Sequence, residues 1–400
     1  MTSNSLLRNR NLLVLFCAQC LALTCAPAIV LLGGLVGKEL APGSAWVTFP
    51  VAASIVGTAV ASLPAALLMQ RFGRRAGLSG AVMYGALAAL MAATAIAWGN
   101  FWLFSLSFFG MGMTIAFMLQ FRFAAAESVA VEQMSRAISL LMLSGIVSAW
   151  VGPEVVELGA DQPGLPPYSG SFVGIALLMT CGALVLLGFK NQEMTETDKS
   201  AVSLPLKKLI TPPIMLAVLG GMTAFSVMSL VMTATPVEMH HGVGHSLDRT
   251  SLVIQSHIIA MYLPSLVSGH MVARYGVRLV MAFGLGCFAI SIGVALAGIS
   301  FEHFWLALVL LGVAWNLMFV SSTTLLAEES PRESRFRLQA VNEFSVFGTQ
   351  TLAALGAGWV VSEFGWVAIQ WLALPLVLVT ALMLAWQQRF YAAGSTAVGN

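Results

Sequence analysis

Apolar runs of about twenty residues recur about twelve times along this chain, from Asn11–Val36 to Trp366–Gln387, divided by short polar or charged turns. A helix rises about 1.5 Å per residue and the hydrocarbon core of a bilayer is about 30 Å thick, so each run is one crossing long. Lipid offers no hydrogen bonds, so such runs satisfy their backbone groups internally, as helices. Composition agrees: 58% of the 400 residues are hydrophobic and 9% are charged, more apolar surface than a soluble domain needs. The expected fold is an all-α polytopic membrane protein. No basic patch points to nucleic acid, and no enzymatic activity is expected.

Charge orients the expected bundle. With the N-terminus cytoplasmic, Arg8, Arg10, Arg71, Arg74, Arg75, Arg136, Lys190, Lys199, Lys207, Lys208, Arg274, Arg278, Arg332, Arg335, Arg337 and Arg389 fall on one side, and Lys38 and Arg249 on the other. The positive-inside rule then makes both termini cytoplasmic. The longest polar stretch, from Lys190 to Lys208, has six apolar runs on either side. The expected organisation is a six-helix half over 1–190, a linker over 191–210, a second six-helix half over 211–390 and a tail over 391–400.

The halves echo each other. Met69–Arg75 (MQRFGRR) follows the second run and Val272–Arg278 (VARYGVR) follows the eighth, with Arg274 lying 203 positions after Arg71. Two parallel six-helix repeats joined by R-[FY]-G-x-R turns resemble the major facilitator superfamily of transporters. That family usually carries an acidic residue before the first arginine, where this chain has Gln70 and Ala273. Gly145 and Gly152-Pro153 in the fifth run faintly resemble the glycine-proline motif of its antiporters.

The most chemical stretch joins the seventh and eighth runs. Met228 and Met232 are four apart on one, and His257 and Met261 are four apart on the next, so each pair shares a helix face. Counted from the intervening turn, both pairs lie roughly 10–20 Å deep. Thioethers suit Cu(I), imidazole suits copper as well, and no carboxylate lies within a turn of either pair. The expectation is a soft-metal site, with no permanent cofactor and copper as the transported substrate. Met-x-x-x-Met followed by His-x-x-x-Met resembles the signature of the CcoA-type copper importers, which supply copper for assembly of cbb3-type cytochrome c oxidase. That resemblance implies a bacterial inner-membrane protein importing copper by alternating access, with Met228 and His257 as principal ligands. A periplasmic copper donor and a cytoplasmic acceptor would be its partners, with membrane lipid around it.

Further residues cluster around this reading. Met239, His240, His241 and His245 sit in the outer turn and are read as a copper-capturing funnel. Cys17, Cys20 and Cys25 in the first run are read as part of the path, Cys25 being the repeat counterpart of Met228. Arg122 and Glu343 are read as pairing or gating groups, along with Arg71 and Arg274 of the repeated turns. Two other readings stand beside copper import. Members of the same branch carry riboflavin, and a transporter of an organic solute, riboflavin or a drug-like molecule, would need an aromatic-lined site. A membrane metal-binding assembly factor would move nothing.

Overall fold

A computed structural model of the chain describes residues 9–42, 46, 49–191 and 209–397, and within them leaves out the side chains of residues 30, 34, 38, 241, 247, 251 and 389–397. Arg8, Lys199, Lys207, Lys208, most of the expected linker and the last three residues of the expected tail therefore lie outside the described residues. The described residues are helical, without strands. In order they form α1 (Arg10–Ala22), α2 (Cys25–Leu40), α3 (Phe49–Ala97), α4 (Phe101–Met118), α5 (Phe121–Glu127), α6 (Met134–Met142), α7 (Ser144–Ala160) and α8 (Ser169–Leu186). Then follow α9 (Pro212–Val237), α10 (Leu247–Tyr262), α11 (Ser265–Tyr275), α12 (Val277–Ala297), α13 (Phe301–Glu329) and α14 (Arg335–Ala397).

Ten stretches among the described residues are long and apolar enough to cross a membrane. Two of them, Phe49–Ala97 and Arg335–Gln388, are 49 and 54 residues long, about twice what a bilayer needs. Each is broken inside. Gly73 (φ 81°, ψ 160°) interrupts α3, and Gly365 (φ 79°, ψ 178°) interrupts α14. Counted at these breaks, the described residues hold twelve helical stretches of crossing length, the number of apolar runs in the sequence. Gly276, between α11 and α12, has φ 83° and ψ 154°, nearly the conformation of Gly73. The two glycines are 203 positions apart and are the Gly of the repeated R-[FY]-G-x-R turn. Only glycine adopts this backbone region without strain, which explains why the turn carries one in both halves. The flanking arginines repeat too: Arg71 and Arg274 each lie over the ring of the next residue, Phe72 and Tyr275, at 5.4 Å.

Sequence-local features set several helix ends. Asn9 and Asn100 accept from Leu12 N (3.2 Å) and Leu103 N (2.9 Å), capping α1 and α4. Pro264 has no N–H to continue the α10 ladder, and the chain turns there before α11.

The chain divides into two compact units. The first comprises Met1–Ala130, Leu140–Ser200 and Gln339–Phe344; the second comprises Val131–Ser139, Ala201–Leu338 and Ser345–Asn400. Each thus takes in a short segment from the other half of the sequence, and the two segments are near-equivalents in the 203-residue repeat. Within the first unit, α3 and α4 meet backbone to backbone. A Cβ on Gly112 would stand 1.9 Å from the Ser54 carbonyl oxygen, and one on Gly57 would stand 2.1 Å from that of Phe109. Thr58 Oγ1 adds a hydrogen bond to Gly112 O at 2.9 Å. Lipid gives no hydrophobic drive between helices, so such close approach of small residues is what holds the pair. In the second unit the 18-residue apolar windows within Pro212–His240 and Phe301–Glu329 are 78% and 72% buried, which makes α9 and α13 its interior helices.

Candidate functional site

The two sequence pairs lie in the second unit, on α9 and α10, and both helices pack along α13. Met228, His257 and Met261 are buried, and Met232 is partly buried. Gly312 on α13 allows α10 to approach closely, since a Cβ there would stand 2.7 Å from the His257 carbonyl oxygen. Asn316, one turn further on, donates to Met261 O at 2.7 Å and to Ser265 Oγ at 2.6 Å, holding the backbone where α10 ends. His257 Nδ1 donates to the Leu308 carbonyl oxygen at 2.8 Å. A carbonyl only accepts, so Nδ1 carries the proton and Nε2 keeps its lone pair. That Nε2 is buried and has no hydrogen-bond partner in the protein. Among the described residues no three His, Cys, Asp or Glu side chains converge on a common point.

The turn between α9 and α10, expected on the outer side, is partly enclosed. Met239 is fully buried. His240 Nδ1 lies 3.1 Å from the His245 carbonyl oxygen, and His245 Nε2 lies 3.3 Å from that of Ile299. One nitrogen of each imidazole is therefore engaged by the backbone. The side chain of His241 lies outside the described residues. Of the three thiols expected in one helix, Cys17 is exposed and Cys20 partly buried on α1, while Cys25 is buried at the start of α2, and none forms a disulfide.

Two ion pairs lie in the first unit, one buried and one partly buried. Arg122, on α5, pairs with Glu343, which is fully buried on α14 and also accepts from Asn342 Nδ2 at 3.0 Å. One turn earlier on α14, Gln339 Oε1 accepts from Arg74 NH2 at 2.8 Å, and Gln339 Nε2 donates to Glu127 Oε1 at 3.2 Å. Arg74 closes the network on Glu127 at 2.6 Å and on Gln120 Oε1 at 3.3 Å. Sequence reasoning counted Arg74 among the orienting charges, because nothing local distinguishes it from its exposed neighbours Arg71 and Arg75. Its burial comes from partners 46 to 265 residues away.

An aromatic cluster in the second unit was not foreseen. Phe225 lies edge-on to Trp315, Phe319 and Phe347, with ring centroids at 5.3, 5.4 and 5.0 Å. Trp315 and Phe319 stack at 5.0 Å with 7° between their planes, and Tyr262 meets Trp315 edge-on at 6.1 Å. Such pairs contribute about 0.5–1.5 kcal/mol each beyond area burial. The rings come from α9, α10, α13 and α14, the first three being the helices that carry or flank the Met and His pairs. On α9 and α14 a polar contact follows one turn beyond the rings, where Gln350 Nε2 donates to Ser229 Oγ at 2.9 Å. The spacing Trp315-x-x-x-Phe319 was the available signal, since it puts both rings on one face of a helix. Trp315 Nε1 is buried without a hydrogen-bond partner, whereas Trp366 Nε1 donates to Ala295 O at 3.0 Å. Leaving such a donor unpaired costs about 1–3 kcal/mol.

Comparison with known proteins matches this architecture. The family model for the Major Facilitator Superfamily matches residues 12–254 and 217–398. The chain is 35% identical over 372 residues to the riboflavin transporter RfnT of Brucella anthropi, covering 92% of this chain and 93% of that protein. It is 32% identical over 348 residues to the uncharacterized MFS-type transporter YddS of Bacillus subtilis, covering 82% and 79%. Among solved structures, the proton:xylose symporter XylE superposes with a TM-score of 0.75 at 13% identity, over 96% of each chain. The chain is a multi-pass membrane protein that belongs to the major facilitator superfamily of transporters.

Proposed function

We infer that the protein carries riboflavin, or a flat heteroaromatic solute much like it, across the inner membrane of a bacterium. The observation that carries this reading is the 35% identity to a riboflavin transporter over 92% of the chain. The aromatic cluster of Phe225, Tyr262, Trp315, Phe319 and Phe347 supports it, because a tricyclic flavin ring is bound by stacking and edge contacts of this kind. This is the organic-solute alternative of the sequence reading, and the relatives favour it over the copper importers. Copper import is kept as the second reading by one observation: the His257 Nε2 lone pair, buried and unpartnered, lies one turn from the buried thioether of Met261.

The test is accumulation by proteoliposomes containing the purified chain, with radiolabelled riboflavin in one series and copper under reducing conditions in the other. Time-dependent riboflavin uptake, competed by unlabelled riboflavin and not by Ag(I), is the expected result. Copper uptake competed by Ag(I), with riboflavin excluded, would return the site to Met228 and His257 as ligands of a transported soft metal.

A further inference from the structure

The indole of Trp315 sits where three aromatic neighbours meet, with Phe319 stacked on it and Phe225 and Tyr262 set edge-on. Its Nε1–H is buried and donates to nothing in the protein. Other buried polar atoms on these helices are unpartnered too, including Ser226 Oγ and Ser322 Oγ. Those two are hydroxyls, which rotate and can turn back onto a carbonyl of the preceding turn, while His257 Nε2 and Asn316 Oδ1, also unpartnered, present lone pairs and not a fixed donor. An indole N–H has one fixed direction and no acceptor role, so its partner must come to it. Elsewhere in this bundle that requirement is met: Trp305 Nε1 donates to Ser256 Oγ and Trp366 Nε1 to Ala295 O, both at 3.0 Å.

We propose that Trp315 determines specificity, its Nε1–H donating to a ring carbonyl oxygen of a flat heteroaromatic solute that joins the cluster formed with Phe225, Phe319 and Tyr262. The proposal rests on the flavin reading and adds to it the atom that recognises the ring. Stacking alone accepts any flat ring, whereas a buried donor rejects a ring that leaves it unpaired. The carbonyl-bearing edge of the heterocycle, and not its sugar-alcohol chain, is what this residue reads.

The experiment is isothermal titration of the full-length purified chain with riboflavin and with lumiflavin, which keeps the ring and its carbonyls and lacks the polyhydroxyl chain. Wild type is compared with Trp315→Phe, which keeps an aromatic ring and removes the N–H. Should the phenylalanine variant not purify as a single species, benzothienylalanine at position 315 supplies the same deletion with the indole shape retained. Both ligands are expected to bind the variant about tenfold more weakly, about 1.4 kcal/mol. A variant equal to wild type with both ligands overturns the proposal, and so does a loss confined to riboflavin, which would assign Trp315 to the chain. Wild type binding neither ligand fails the flavin reading itself, a result distinct from a variant that binds as wild type does.

Discussion

His257 Nδ1 donates to the carbonyl oxygen of Leu308 at 2.8 Å, tying α10 to α13 where both are buried. The close approach that allows this is made at Gly312. The bond fixes the tautomer, so the imidazole presents a lone pair, not a proton, at Nε2. It also gives His257 a structural task separable from any contact with substrate. His257→Leu removes a second hydrogen bond from the Leu308 carbonyl, which keeps its partner within the helix, and is expected to lower stability by about 0.5–1.5 kcal/mol. His257→Asn, whose amide can replace the Nδ1–H, should recover part of that loss. Thermal unfolding of the purified variants checks the order; equal losses would mean the bond contributes nothing.

The Arg122–Glu343 pair is expected to behave as a buried unit. Removing either partner leaves an uncompensated buried charge, at about 3–5 kcal/mol, whereas replacing both with apolar residues of similar volume is often close to neutral. Arg122→Met and Glu343→Met should therefore each reduce the folded protein recovered from membranes, and the double variant should recover it. A double variant as poor as the sum of the singles would show that the two side chains act independently.

Glycines at the α3–α4 crossing should not tolerate a methyl group. Gly112→Ala and Gly57→Ala drive a Cβ into backbone carbonyls at 1.9 and 2.1 Å, and backbone cannot move aside as a side-chain tip can. Both variants should lose several degrees of melting temperature or fail to accumulate. Gly286 and Gly293 on α12 have open space at the same position, so alanine there should be neutral or stabilising by up to about 1 kcal/mol. Equal behaviour of the two sets would contradict the close crossing.

At the repeated turn the cost is conformational instead. Gly276 has φ 83° and nothing near its Cβ position, so Gly276→Ala isolates backbone strain, expected at about 1–3 kcal/mol. Gly73→Ala carries the same strain and in addition meets Asn191 Nδ2 at 2.7 Å, a side chain that can move. The two losses measured by chemical or thermal unfolding should be similar, with Gly73 the larger. A neutral Gly276→Ala would mean the turn has another accessible conformation.

Hydropathy alone determined the class of this protein, a multi-pass helical membrane protein, because it depends on runs of consecutive residues and on the thickness of a bilayer. The repeated R-[FY]-G-x-R turn was legible for the same reason: its glycine answers a local backbone need, met identically at Gly73 and Gly276. Depth along a helix can be counted from the rise per residue, and that count put Met228 and His257 at one level. Rise along the axis says nothing about which helices become neighbours, and it is packing that set α9 and α10 along α13, with His257 bonded to Leu308. Likewise Arg122 meets Glu343 across 221 residues, Trp315 meets rings from α9 and α10, and Phe225 meets Phe347 of α14. Such partners are chosen by the rotation of each helix about its axis and by the small residues that let helices close, which are properties of the assembled bundle and not of any one segment.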